Sequence, residues 1–207
     1  MTNAALRRRR LARAIAPAVG LLAAGLLVWQ GSYAAFSAST NATNNVWQAG
    51  QLVLANNGGG STYSATTTAV FGGNPIRPGD TATTCLTVKS TGNLSGTLKM
   101  YLSSLTDSTP SLGSQILLTV DAASVTSDVQ ANCTGFPTTG VTNIATNVAL
   151  TSFPTTYAGA STGVSIAAGT VLEAYRVTWT FQTTGSNAND NLLQGKSATA
   201  AFTWEIQ

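Results

Sequence analysis

The clearest pattern of apolar and polar positions in this chain is the alternation over residues 171–182. One parity holds Val171, Tyr175, Val177, Trp179 and Phe181, whereas the other holds Arg176, Thr178, Thr180 and Gln182. Successive side chains of a β-strand point to opposite faces of its sheet. The segment is therefore predicted to be a strand with one buried face and one wet face.

Similar alternation predicts strands at residues 82–89, 97–102 and 198–206, with further strands at 51–55, 115–121 and 143–150. Sequences typical of turns, such as NNGGG at 56–60 and RPGD at 77–80, separate these runs. Seven or more strands without helical crossovers indicate an all-β protein, a two-sheet antiparallel sandwich over residues 51–207. We expect jelly-roll-like connectivity, with an immunoglobulin-like order as the alternative. A short helix is predicted near residues 124–132.

The beginning of the chain has the three parts of a secretory signal. An arginine cluster at residues 7–13 precedes an apolar stretch at 14–29, and Ser32-Tyr33-Ala34 places small residues at the two positions a signal peptidase inspects. The alternative is a retained membrane anchor, but this stretch is shorter than the roughly 20 residues that span a bilayer. We therefore expect a signal helix over residues 1–34, cleavage between Ala34 and Ala35 by signal peptidase, and a secreted or cell-surface protein.

Removing the signal changes the charge balance. The whole chain has a formal net charge of +3, but five of its ten basic residues lie in the first thirteen positions. The remainder has five basic and seven acidic residues, a net charge of −2. A basic surface is what recognises nucleic acid, so nucleic acid is not an expected partner.

The two cysteines of the chain, Cys85 and Cys133, both follow the signal. In an exported protein this favours a disulfide between them. The alternative, a reactive or metal-binding pair of thiols, has neither CxxC spacing nor a nearby histidine to support it.

The composition argues against catalysis. The chain has no histidine, which removes the commonest general base, the commonest zinc ligand and the usual nucleophilic triads. Residues 187–191 (NANDN) could supply oxygen ligands to calcium, but they lack the acidic pattern of an EF-hand and are better explained as a hairpin turn. The glycines at 58–60 predict a flexible loop. We expect no catalytic residues, no metal site and no cofactor.

Several short segments together resemble the TasA and camelysin family of Gram-positive surface and matrix proteins, whose signals are removed by a SipW-type peptidase. They are GSYAAFSA at 31–38, RPGDT at 77–81, CLTV at 85–88, NCTGF at 132–136, YRVT at 175–178, QGK at 194–196 and FTWE at 202–205. The resemblance implies a jelly-roll-like subunit of extracellular fibres. The metalloprotease activity described for camelysins does not carry over, because an HExxH helix requires histidine.

Residues 35–50 are predicted to be an N-terminal arm that adds as a strand to another copy, or else the first strand of the chain's own domain. The arm has no proline or charge, and Ala35, Phe36, Val46 and Trp47 are its apolar contact residues. The expected function is therefore a structural subunit that associates with itself and with other matrix or surface proteins.

The alternative function is a monomeric surface module that binds carbohydrate or a protein through loops. It would use exposed aromatic residues, for which Tyr63, Phe71, Phe136, Phe153 and Tyr157 are available. By contrast, Trp179 and Trp204 are predicted to belong to the core.

Overall fold

The computed structural model describes residues 51–67, 70, 72 and 75–207. The predicted signal, the cleavage point at Ala34 and Ala35, the arm residues Phe36, Val46 and Trp47, and Phe71 lie outside the described residues. The strands are β1 (Leu54–Asn56), β2 (Thr81–Ser90), β3 (Gly96–Asp107), β4 (Ile116–Val125), β5 (Thr142–Ala149), β6 (Val164–Ile166), β7 (Val171–Phe181) and β8 (Ala198–Ile206). A 3₁₀ turn occupies Leu150–Ser152, and a short helix, α1, spans Asn187–Leu192.

The strands form two antiparallel sheets. One has the order β1-β2-β7-β4-β5 and the other the order β6-β3-β8. Of the connections between consecutive described strands, only β1 to β2 and β4 to β5 join neighbours in one sheet, and the others cross between sheets. The predicted all-β two-sheet sandwich is confirmed, and this repeated crossing is its jelly-roll-like character.

The core lies between the two sheets and is built by the predicted alternation. In β7 the side chains of Tyr175, Val177, Trp179 and Phe181 are buried there. The three-stranded sheet contributes Leu98, Met100 and Leu102 from β3, and Trp204 of β8 packs against Tyr175 with ring centroids 5.6 Å apart. Of the two tryptophans predicted for the core, Trp179 is buried there, and Trp204 is partly buried and packs against it.

The alternation predicted that the outer face of the five-stranded sheet is exposed to water, but part of that face is buried. Cys85, Ala174 and Val129 are buried there in a second, smaller cluster. The loop that follows β4 covers this part of the sheet, and the disulfide between Cys85 and Cys133 joins the loop to β2. A pattern of alternation reports only the strand itself, so it could not show that a distant loop would cover its polar face.

Several predicted elements differ in extent or type. The strand predicted at 51–55 is the three-residue β1, and the short β6 was not predicted. The helix predicted near 124–132 is wrong, because Ser124 and Val125 continue β4 and pair with β7. The hairpin turn predicted at 187–191 is also wrong, since these residues form α1. These elements are short, and the intrinsic preference of their residues for helix or strand is weak. Strand pairing and local side-chain hydrogen bonds therefore decided their secondary structure.

Candidate functional site

The strongest candidate for a functional site is the edge of the sandwich at β8. In the described part of the chain β8 is the last strand of the three-stranded sheet and pairs with β3. The opposing sheet has five strands, so the two layers are unequal. An edge strand of nine residues is a template for pairing with another strand, and proteins usually blunt such edges with charge, proline or a bulge. In β8 the one charged residue is Glu205.

Two cavities lie beside β8, one toward each end of the strand. The larger has a volume of about 470 Å³ and is lined by Trp179 and Phe181 of β7 together with Ala198 and Ala200 of β8. The smaller, of about 330 Å³, lies between β8 and the β1–β2 side of the other sheet. Phe202 lines both cavities. Both cavities are partly open to solvent, so this edge of the sandwich is incompletely covered by the described residues.

Two tryptophans at these cavities have hydrogen-bond donors without acceptors. Trp179 lines the larger cavity and Trp204 the smaller. The indole Nε1 atom of each is buried and has no hydrogen-bond partner among the described residues. A buried donor without a partner costs free energy, and native structures contain few of them.

The core also contains a carboxyl group, that of Glu173. Its side chain is 2% exposed and accepts a hydrogen bond of 2.8 Å from the Ser124 hydroxyl. Burial raises the pKa of Glu173 above its usual value, and the Ser124 hydrogen bond offsets only part of that effect. The neighbouring Tyr175 hydroxyl is buried without a partner among the described residues. Desolvation, followed by the nearby Glu173 charge, raises the pKa of Tyr175.

We expect Glu173→Gln to stabilise the protein at pH 7 by roughly 1 kcal/mol, because the amide is neutral and can still accept the Ser124 hydrogen bond. A carboxyl whose pKa is raised on folding binds more protons in the folded state than in the unfolded state. The contribution of Glu173 to the free energy of unfolding is therefore fully present when the pH lies below the usual glutamate pKa of 4.5. It is lost as the pH rises through the pKa of the folded state. Urea unfolding of variant and wild type between pH 4 and 8 should show their stabilities diverging as pH rises.

Glu205→Gln is the matched control for this substitution. The Tyr101 hydroxyl, 2.6 Å away, and then Gln207 donate hydrogen bonds that lower the pKa of Glu205. The contribution of Glu205 is thus present at neutral pH and lost in acid, so its replacement should not stabilise at pH 7. If Glu173→Gln left the pH dependence of stability unchanged, the carboxyl would not carry the raised pKa.

The predicted disulfide is confirmed, and it holds a loop against the sheet. Cys85 and Cys133 have Cα atoms 5.0 Å apart. Phe136, from the same loop, lies under the guanidinium of Arg176, which is 4.5 Å from the ring centroid. Arg176 also forms an ion pair of 2.8 Å with Asp121. These contacts point to a structural role for this part of the molecule.

Of the five aromatic residues expected for a loop-borne binding surface, the four that the structure describes serve separate structural contacts. Phe153 is buried, and the Tyr157 hydroxyl donates a 2.8 Å hydrogen bond to the carbonyl of Thr97. The Tyr63 ring lies 3.9 Å from the Lys89 ammonium, and its hydroxyl donates to Asp128. These aromatic residues do not form one exposed patch, so the alternative of a binding module gains no support from them.

The described residues contain no group of three or more His, Cys, Asp or Glu side chains that could hold a metal ion. In α1, the carboxylate of Asp190 accepts hydrogen bonds from the hydroxyls of Thr183 and Thr184, both at 2.6 Å. These hydrogen bonds, that of Thr183 first, lower the pKa of Asp190. Asp190 therefore ties α1 to the chain that follows β7.

The described residues include no helix that is long and apolar enough to cross a membrane. Fold and disulfide define the class of this protein as an all-β sandwich with one internal cross-link. No family model matches the sequence, and no curated protein matches it significantly.

Proposed function

We propose that this chain is an exported structural protein, a subunit of extracellular matrix or cell-surface fibres whose copies join by β-strand addition. The observation that carries the proposal is the unequal sandwich, in which five strands face three and two cavities lie beside β8. A strand laid along β8 would extend the smaller sheet, and its side chains would cover the cavities.

The incoming strand in this proposal is the arm at residues 35–50 of another copy. At about 3.3 Å per residue its sixteen residues are long enough to follow the nine residues of β8. Ala35, Phe36, Val46 and Trp47 would provide the apolar contacts. The arm contains no proline that would remove a backbone donor and no charge that would need to be buried.

The charges of the molecule also favour association. All seven acidic side chains of the chain lie among the described residues and accept hydrogen bonds within the protein, as Asp107 and Asp121 do. Lys89, Lys99 and Arg176 are likewise engaged by aromatic rings or carbonyls. With twelve charged side chains and a net charge of −2 after residue 34, the protein repels further copies of itself only weakly.

The resemblance to the TasA and camelysin family, described from short sequence segments, supports the same proposal. In this proposal the protein works outside the cell by contact and is not an enzyme. Its partners are further copies of itself and other matrix or surface proteins, after signal peptidase has released the arm.

Replacing residues 35–45 by a glycine and serine sequence of equal length should abolish fibre formation by the secreted protein. The replacement removes the apolar start of the arm and weakens its preference for extended structure. Negative-stain microscopy of concentrated protein is the measurement. N-terminal sequencing of the unmodified protein, expected to begin at Ala35, first establishes that the arm is present.

A synthetic peptide of residues 35–50 provides the matched control. It should bind the arm-replaced protein in a fluorescence anisotropy titration, whereas the same peptide with Val46 and Trp47 changed to serine should bind at least about tenfold more weakly, since two apolar anchors are lost. Circular dichroism and urea unfolding should show that the arm-replaced protein is folded. Fibres at the wild-type yield from that protein, or no peptide binding, would contradict strand addition.

A further inference from the structure

The larger cavity beside β8 has features of a ligand site in its own right. Its volume of about 470 Å³ falls within the range of small-molecule sites, roughly 300–1,000 Å³. Its wall is about half apolar and half polar, and it comes from both sheets and from the residues just after α1. The apolar side chains at its centre are Ile116, Leu118, Trp179, Phe181, Leu193 and Phe202.

The polar groups of this cavity can donate hydrogen bonds, and its charged side chain is positive. Lys196 is the one charged residue among the described residues that line it, and no ion pair to Lys196 forms in the described part of the chain. The Gln194 side chain also lines the cavity. A ligand that complements these groups has an apolar body and an anionic head.

A second cationic side chain lies close by. Arg77 lines an adjoining cavity that shares Ile76, Phe181 and Leu193 with the larger one. The carboxylate of Asp190 also lines the adjoining cavity, but Thr183 and Thr184 already hydrogen-bond it. Around the two cavities, Lys196 and Arg77 carry two positive charges against the single negative charge of Asp190, so one positive charge is left in excess.

We propose that this cavity binds a free single-chain amphiphile with an anionic head, of the fatty acid class. The alkyl chain lies among the apolar side chains between the sheets, where it is removed from water. The carboxylate lies at the mouth, where the Lys196 ammonium neutralises it. The proposal does not rest on fibre formation, because a single copy of the protein contains the whole site.

Titration calorimetry of dodecanoate into the purified protein, below the concentration at which dodecanoate forms micelles, tests the proposal. We expect one molecule bound per chain with a Kd in the micromolar range. Lys196→Gln should weaken binding about tenfold, because the carboxylate loses a charge-assisted contact. Lys89→Gln is the matched control. It removes the same charge on the outer face of the five-stranded sheet, beside Tyr63, and should leave the affinity unchanged.

Two further measurements locate the ligand. Dodecanol, with the same chain and no charge, should bind about tenfold more weakly than dodecanoate and should be insensitive to Lys196→Gln. Ala200→Phe, which places a ring in the cavity, should abolish binding while urea unfolding shows that the variant folds. If Ala200→Phe does not fold, the comparison of dodecanoate with dodecanol decides alone.

Three outcomes would overturn the proposal. The first is absence of dodecanoate binding, which is also the result expected if another segment of this chain or a second copy fills the cavity. The second is equal affinity for dodecanoate and dodecanol, or an affinity that Lys196→Gln does not change. The third is binding to phosphatidylglycerol vesicles without binding of free dodecanoate, which would indicate a membrane surface as the source of the anion.

Discussion

Replacing both cysteines, as Cys85→Ala with Cys133→Ala, is expected to lower the free energy of unfolding by about 4 kcal/mol. The cross-link closes a loop with a sequence separation of 48 residues, and the loss of that constraint on the unfolded chain accounts for this magnitude. The native contacts around the cross-link argue for a loss of that full size. Cys85 is completely buried, its backbone N–H donates to the carbonyl of Ala131, and the Val129 N–H donates to the hydroxyl of Thr87.

Urea unfolding followed by tryptophan fluorescence measures this loss. Wild-type protein unfolded in the presence of a thiol reductant should agree with the double variant to within about 1 kcal/mol, since both lack the same constraint. The slope of the unfolding free energy against urea should also increase, because an uncrosslinked unfolded chain exposes more surface. A loss below about 1 kcal/mol would contradict this account and would show that the disulfide is dispensable for folding.

Asn57→Ala is expected to lower the free energy of unfolding by about 3 kcal/mol, a large effect for a residue in a turn. The side-chain oxygen of Asn57 accepts hydrogen bonds from the N–H groups of Thr87, at 2.8 Å, and Gly59, at 3.0 Å. Its amide donates to the carbonyl of Gly60. Thr87 is completely buried, so alanine would leave its N–H in the interior without a partner, in addition to removing the other two hydrogen bonds.

Asn132→Ala is the matched control, because Asn132 is exposed and its side chain accepts one local hydrogen bond, from the Thr134 N–H. Its replacement should change stability by no more than about 0.5 kcal/mol. Comparable losses for the two variants in thermal or urea unfolding would refute the structural role assigned to Asn57. Hydrogen exchange offers a direct readout, since the Thr87 N–H should lose protection in Asn57→Ala and keep it in Asn132→Ala.

The two proposals for the β8 edge can fail separately. Fibre formation and peptide binding report on strand addition, whereas calorimetry with dodecanoate reports on the cavity of a single copy. If both hold, the alkyl chain and an incoming strand would occupy neighbouring parts of the same edge. Fibre formation should then slow as dodecanoate saturates the protein.

The candidate site was only partly predictable from the sequence. The alternation predicted Trp179 and Trp204 for the core; Trp179 is buried there, and Trp204 is partly buried against it. It could not indicate that their indole N–H groups lack acceptors, because that depends on every neighbour in three dimensions. It also could not identify β8 as an edge, since strand order is set by pairing between segments far apart in sequence. The arm at residues 35–50 stays a prediction.

The fold class, most of the strands and the disulfide could be predicted from the amino-acid sequence alone. Alternation of apolar residues is a local property that follows from the geometry of a strand, and two cysteines permit one pairing. Only the tertiary structure decided which faces are covered, as when the 126–136 loop buries the outer side of Cys85. It also decided that Asn57 is a buried tether and that β8 lies beside two cavities. These features depend on long-range packing, which no local pattern of residues encodes.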